Sequence, residues 1–520
     1  MIDPTFVVPP PHPNEHKISP WVDEQIWGHR LWDSESSWLL FLEFLTVAEA
    51  CSRDGSLFAE DGNYRPLAFK PYKRMYLRNI LFNNDDILRI AERHSDSPSA
   101  WAAWLQSMEE KAFGIPAPRD FSYLKKRFHS FHQFASIVAM IRGADVEGMS
   151  NKRWTSRFVF PFGPNALYED LIGNPSSGTV SRDYVNFGRT GELLYLMLSR
   201  SNLRTELRQS LERVLKPTGP WNRLVGLLQP TGDDDDRSTR GNSYLPYKHH
   251  PSFDRLAQDW ENVLTLRMPQ YDVFPHLVAL GALHILLYQL AVAFEWRGVG
   301  NVPLHIVCEI VAPKKSLVRE LSSDSYLENN LLPAQAVGAY IENIAASAEW
   351  RQALAEPGAF IRCRQILQDH VRWGESPEDY DGPSEPEALL TELRTFALAG
   401  HKQHVANIHR SYGRDVGLVS KRGTNKLRYA PTDSLLKTLL LANVAERMEL
   451  NEFLQRLYER YGFIIDDRQA EKALAKELFD KKAFQANARR LEERLGSLGL
   501  LRRLSDGCAY LENPYRNRQL

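Results

Sequence analysis

The chain has 520 residues, and its 64 Lys and Arg stand against 65 Asp and Glu, a formal charge of -1 at pH 7. Hydrophobic residues at 43% and charged residues at 25% exclude a disordered or collagen-like chain, and only four cysteines exclude a disulfide-stapled scaffold. The balanced charge means that any polyanion must be met by a local patch, not by the molecule as a whole.

At roughly 150 residues per domain, the length suggests about three domains. Cys51, Cys308, Cys363 and Cys508 are far apart and form no C-x-x-C pair, the usage of reduced thiols in a cytoplasmic protein. Met1-Ile2-Asp3-Pro4 begins without a basic or apolar signal segment.

In chain order, residues 1–20 hold six prolines and predict an extended polyproline arm able to lie along another surface. Residues 21–150 read as an N-terminal helical domain. Trp21, Trp27, Trp32 and Trp38 are core aromatics here, and helices are expected at 37–50, 84–94, 98–112 and 121–142. Residues 151–373 form a middle, mainly helical domain, with aromatic and β-branched residues ahead of prolines at 154–162, a possible short strand at 184–187, and either a strand or a short helix at 302–312. Helices are expected at 191–215, 315–330 and 333–355, and 216–250 is expected to be a long loop carrying Asp233–Asp236. The 19 apolar residues His276–Phe294 match a membrane span in length, but His276, His284 and Gln289 within them favour a buried core helix. No membrane contact is expected. The acidic, proline-containing segment 374–386 reads as a linker, and 387–520 as a C-terminal domain.

That last domain is the most legible. A helix is expected at 434–447 with Asp433 as its cap, then one at 449–461 closed by Gly462, one at 467–480, and one at 482–498. Asp506-Gly507 between two short apolar–polar runs signals a β-hairpin. Helices, a long helix and then a hairpin, ending in LGSLGLLRRLSDGCAYLENP, resemble the winged-helix superfamily over residues 430–515. The segment 467–480 is an addition to that pattern. The resemblance implies a last helix that enters a DNA groove and a hairpin, or wing, that touches the backbone.

The charge pattern offers independent support. Between His401 and Ala430 stand seven Lys or Arg and one acid, Asp415. Such a concentration suits phosphate neutralisation. Candidate nucleic-acid contacts are Lys421, Arg422, Lys426 and Arg428 in this segment. To them are added Lys482, Gln485, Arg489 and Arg490 on the 482–498 helix, and Arg502 and Arg503 on the hairpin. Arg489 and Glu493 are also spaced as an i, i+4 ion pair, which a merely solvated face would use. Arg189 and Thr190, at a predicted helix start, form a weaker candidate for anion binding, with an ordinary Thr190 cap as the alternative.

No P-loop, dinucleotide fingerprint, H-E-x-x-H, G-x-S-x-G or kinase set occurs. The pairs His129/His132 and His401/His404 lack further ligands, so no metal or cofactor is expected. The sequence therefore describes a mainly α, multi-domain protein with a small hairpin near its end. Its expected role is a non-catalytic, nucleic-acid-binding subunit, with DNA favoured over RNA. It would work beside an ATPase or nuclease in a genome-defence or DNA-maintenance assembly. A protein-docking scaffold is the alternative, and a metal-dependent nuclease or other hydrolase the third reading.

Overall fold

The computed structural model describes residues 6–10, 20–29, 31–33, 35–59, 64–82, 84, 86–112, 114–115, 117–142, 162–167, 171–173, 180–182, 189–216, 218–231, 239–240, 243–298, 304–312, 316–374, 380–421, 426–505 and 508–515. Among these the fold is mainly α, with short strands in small sheets. The apolar run 276–294 lies within the helix Gln270–Trp296, the core helix below. It is long and apolar enough to cross a membrane by length and composition, yet 83% of its most apolar window is buried against the rest of the chain.

Its polar residues explain how that burial is tolerated, because each one meets a partner. His284 Nε2 lies 2.7 Å from Asp259 Oδ2, and His276 Nδ1 lies 2.7 Å from Thr438 Oγ1. Gln289 Nε2 donates to the Val405 carbonyl at 3.1 Å, and the Tyr288 hydroxyl donates to the Trp27 carbonyl at 3.0 Å. Burial, with Lys437 nearby, pushes His276 down to about 4, so it sits neutral in the core at physiological pH.

The helices Ser37–Arg53, Pro251–Leu264, Leu317–Ala345, Ile408–Asp415 and Asp433–Asn443 all pack on the core helix. One hydrophobic cluster runs from Val22 to Leu511. It holds residues on both sides of the acidic segment 374–386, and the boundary expected near residue 150 lies outside the described residues. Trp373, just before the acidic segment 374–386, and Tyr380, within it, pack their rings 5.8 Å apart. A second cluster holds Trp101, Trp104, Phe121, Phe131 and Phe134, with Val225 and Leu228 from a distant helix.

Several elements depart from the sequence expectation. The stretch 121–142 is a 3-10 turn, Ser122–Lys126, and then a helix, Phe131–Arg142. The stretch 191–215 is two helices, Thr190–Ser199 and Arg204–Leu215. The expected long loop 216–250 contains the helix Pro220–Leu228, where proline in the first turn gives up a donor the helix does not need. Leu317–Ala345 continues through Pro333 instead of breaking there. Leu332, Pro333, Ala336 and Val337 are all buried, so packing outweighs the lost hydrogen bond. A strand, Ile306–Val307, resolves the open assignment at 302–312. The possible strand at 184–187 and Asp233–Asp236 lie outside the described residues, as do residues 154–161.

Near the C-terminus, Thr432 rather than Asp433 caps the helix Asp433–Asn443, its side chain accepting from the Leu435 N–H. That helix stops at Asn443, and Arg447–Glu449, expected at the helix end, is a strand. The helix Leu450–Tyr461 follows and ends in a left-handed Gly462 at φ +73°. A Cβ at Gly462 would lie 2.1 Å from the Leu304 carbonyl oxygen, so glycine is required. The expected helix at 467–480 covers only Asp467–Ala473, and the last helix is Lys481–Ser497. The hairpin forms as expected, with Leu501–Ser505 antiparallel to Cys508–Glu512 and its turn outside the described residues. Cys508–Glu512 also pairs antiparallel with Arg447–Glu449, making a three-stranded sheet with the hairpin's second strand in the middle.

Two features tie this module to the rest. Phe463–Ile464 pairs in parallel with Ile306–Val307. Asp259, on the helix Pro251–Leu264, accepts from the Tyr461 hydroxyl at 2.7 Å and pairs with Arg460. At the other end of the chain, part of the proline arm packs on its own protein. The Val7 N–H donates to the Pro246 carbonyl at 2.7 Å, and the Tyr244 hydroxyl donates to the Val7 carbonyl at 2.9 Å.

Candidate nucleic-acid interface

The helix Lys481–Ser497 begins at Asp480, whose carboxylate accepts from the Ala483 N–H at 3.1 Å. Phe484, Asn487, Leu491 and Leu495 are its buried side chains. Asn487 takes a place in this stripe where an apolar residue would be usual. Its Oδ1 accepts from the Ile310 N–H at 2.8 Å, and its Nδ2 donates to the Cys308 and Ile465 carbonyls, both at 2.9 Å. One amide thus closes three backbone groups beside the parallel strand pair and fixes the rotation of the helix.

With the inner face set, the outer face follows. Lys482 and Arg489 are exposed, and no ion pair forms between Arg489 and Glu493 among the described residues. Gln485 is exposed, with its amide donating to Asp467 at 2.9 Å. Arg490 turns inward, its Nε donating to the Ile310 carbonyl at 3.1 Å, which removes it from the outward set. On the hairpin, Arg502 and Arg503 are exposed, and Arg503 lies 3.5 Å from Glu492. The helix and hairpin therefore display Lys482, Arg489, Arg502 and Arg503.

The 401–430 segment divides. Lys421 and Lys426 are exposed, and Arg422 lies outside the described residues. Arg428 corrects the expectation, because it is 2% exposed and pairs with the buried Glu309. Arg319 completes the pair at 2.8 Å from Glu309. A guanidinium locked on a buried carboxylate cannot neutralise a phosphate. Its neighbours Tyr429 and Ala430 are also buried, so no alternation in the sequence marks it. Of the seven basic residues in this segment, Lys402, Arg410 and Arg414 are not candidate contacts, and the last two share a helix. They stand one turn apart, exposed, on Ile408–Asp415, whose other side buries Ile408, His409 and Tyr412. Both line a cleft of about 670 Å³ together with Asp33, Glu35, Ser36, Asn407, Ser411 and Asp415.

Arg189 and Thr190 do stand at a helix start, but the protein supplies the anion itself. Glu43, fully buried on Ser37–Arg53, accepts from the Arg189 N–H and the Gly191 N–H, each at 2.8 Å. The Arg189 side chain pairs with Glu192. Thr190 is buried, and Tyr412 hydrogen-bonds its side chain. Gly191 permits the arrangement, since a Cβ there would meet the Leu40 carbonyl oxygen at 2.4 Å. Burial pushes the Glu43 carboxyl well up, and the charge of Glu35 adds to this, while the two N–H groups oppose it. The helix N-terminus is therefore occupied by an internal carboxyl group.

Among the described residues, no group of three or more His, Cys, Asp or Glu is arranged to hold a metal ion. His401 Nδ1 lies 2.9 Å from Asp23, and His132 Nε2 lies 2.9 Å from the Ala91 carbonyl. Both are tied into the fold. Leu498 and Leu504, at the end of the last helix and on the hairpin, are 39% and 55% exposed.

No curated protein matches the chain. Residues 387–515 match the family model described as Methylation-associated defense system protein MAD7. The matched stretch contains the cleft arginines, Lys421, Lys426 and the whole helix-and-hairpin surface. By this match, the C-terminal region is similar to that of a genome-defence system component.

Proposed function

We propose that the chain is a non-catalytic, nucleic-acid-binding subunit of a genome-defence assembly, that residues 433–515 act as a winged-helix module, and that DNA is the preferred polymer. A cytoplasmic location and a partner ATPase or nuclease subunit go with this reading. One observation carries it. The last helix and the hairpin turn Lys482, Arg489, Arg502 and Arg503 to solvent, on a helix whose other face is fully committed to the core. The strand order, with the hairpin's second strand bonded to the strand between the first two helices, supports the module assignment. The match to a defence-system family supports the setting.

Fluorescence anisotropy with labelled duplex DNA, single-stranded DNA and RNA at two salt concentrations tests the proposal. Tight low-salt binding should weaken with salt. Changing Lys482, Arg489, Arg502 and Arg503 to Ala should flatten the duplex slope of log K against log salt by up to about 3.6 units, at about 0.9 per phosphate contact. Arg428→Ala serves as the contrast. It should lower stability by about 1–3 kcal/mol, because Glu309 loses one of its two guanidinium partners while Arg319 remains, without changing the slope of the folded fraction. Absence of binding at low salt, or an unchanged slope in the quadruple variant, would remove the proposal.

The exposed Leu498 and Leu504 favour a second reading, in which the same face docks a partner subunit. Leu498→Asp with Leu504→Asp would then abolish co-purification of the assembly while leaving salt-dependent nucleic-acid binding intact.

A further inference from the structure

The cleft between residues 33–36 and the helix Ile408–Asp415 has a composition that neither the hairpin surface nor the core explains. Arg410 and Arg414 are exposed and make no hydrogen bond or ion pair among the described residues. The opposite wall is acidic. Asp33 is held in place by its backbone N–H, which donates to the His404 carbonyl at 2.9 Å. Glu35 is 5% exposed, lines the cleft and hydrogen-bonds with Glu43 behind it. Asp415 joins the walls by accepting from the Ser37 N–H at 2.8 Å and from the Ser37 hydroxyl.

This arrangement selects its ligand by exclusion. A bare anion such as phosphate would meet Arg410 and Arg414 but also Asp33, Glu35 and Asp415. A bare cation would meet two guanidinium groups. Two acidic groups as close as Glu35 and Glu43 do not both ionise easily, so the acidic wall carries less charge than its carboxyl groups would suggest and both signs face the cleft. The ligand that fits is neutral and carries acceptors on one edge and donors on the next. Guanine has this pattern. Its O6 and N7 accept from arginine, and its N1–H and N2 amino group donate to carboxylates. A volume of about 670 Å³ lies within the usual range for small-ligand sites. The helix bearing the two arginines leads through Val416–Leu418 into the strand Val419–Ser420 and the exposed Lys421.

We propose that the cleft receives an unstacked guanine base, with Arg410 and Arg414 on its O6/N7 edge and Asp33 on its N1/N2 edge. This deepens the nucleic-acid reading and rests on it for the source of the base.

The test has two parts, both on the full chain. In the first, millimolar guanosine, inosine, adenosine and inorganic phosphate are titrated by ligand-observed NMR. Guanosine should bind, inosine should bind more weakly for want of the N2 amino group, and adenosine should bind about 5- to 150-fold more weakly. Arg410→Ala and Asp33→Asn should each reduce guanosine binding, while a change at the exposed Lys216, Lys216→Ala, should leave it unchanged. In the second, single-stranded oligonucleotides with one guanine are compared with the same strands carrying inosine or adenine. The wild-type protein should prefer guanine, and Arg410→Ala with Arg414→Ala should erase the preference. Equal binding of guanosine and adenosine, or displacement of guanosine by phosphate, would overturn the guanine assignment. Salt-dependent polymer binding with no base preference in either part would sink the cleft and leave the proposed function standing. Guanosine binding without any polymer binding would do the reverse.

Discussion

The residues that decide most in this chain are buried polar ones, and Glu43 is the sharpest case. Its carboxyl sits between two backbone N–H donors and Glu35, and burial holds its pKa above the ordinary glutamate value. An acid whose pKa is raised on folding contributes most at low pH, and that contribution fades as pH rises above the unfolded value. Glu43→Gln keeps an acceptor and a donor but cannot ionise. Urea unfolding from pH 5 to pH 8 should therefore show the variant gaining on the wild type as pH rises. The gain should reach at most about 1.4 kcal/mol per pH unit, the limit for one proton. A constant difference across that range would mean that Glu43 is ionised throughout. None of this was legible in the sequence, where Glu43 is one acid on an apolar helix. Its partners, Arg189 and Gly191, lie 146 and 148 residues away. Arg428 reads as a surface cation in the sequence for the same reason, since its partner Glu309 is 119 residues distant. Lys482, Arg489, Arg502 and Arg503 were legible because solvent exposure needs no partner.

At the scale of elements, legibility followed length and turn chemistry. The hairpin announced itself through Asp506-Gly507, and the last helix through its apolar spacing. The strand Arg447–Glu449 did not, because three residues carry no visible period and its hydrogen-bonding partner lies some sixty residues on. The helix Leu317–Ala345 hid its continuity behind Pro333, where local propensity argues for a break and buried packing overrules it. The last helix depends on a contact that its apolar pattern conceals. Asn487→Ala should leave the Ile310 N–H and the Cys308 and Ile465 carbonyls without their partner, at about 1–3 kcal/mol for each group that water cannot reach. Hydrogen exchange in 481–497 should then accelerate far more than in the core helix. Equal acceleration in both would show that the helix opens only with the whole molecule.

For the whole molecule, the acidic segment reads as a hinge and is bridged by a core. Its composition is that of a linker, but composition says nothing about what packs across it. The contacts of Phe463–Ile464 with Ile306–Val307, of Thr438 with His276, and of Tyr461 and Arg460 with Asp259 all join residues before the segment to residues after it. Residues 387–520 expressed alone should show no cooperative thermal transition. Co-expression with 1–386 should restore one, at the temperature of the intact chain. A fragment that melts sharply by itself would refute this coupling. Finally, the three bonds of Asn487 have a bearing on how such a chain can diversify. With the inner face of the last helix tied to backbone atoms, positions 482, 485, 489 and 493 are free to mutate without disturbing the fold. Substitutions there would therefore change what this helix touches, one surface residue at a time, while leaving its seat in place.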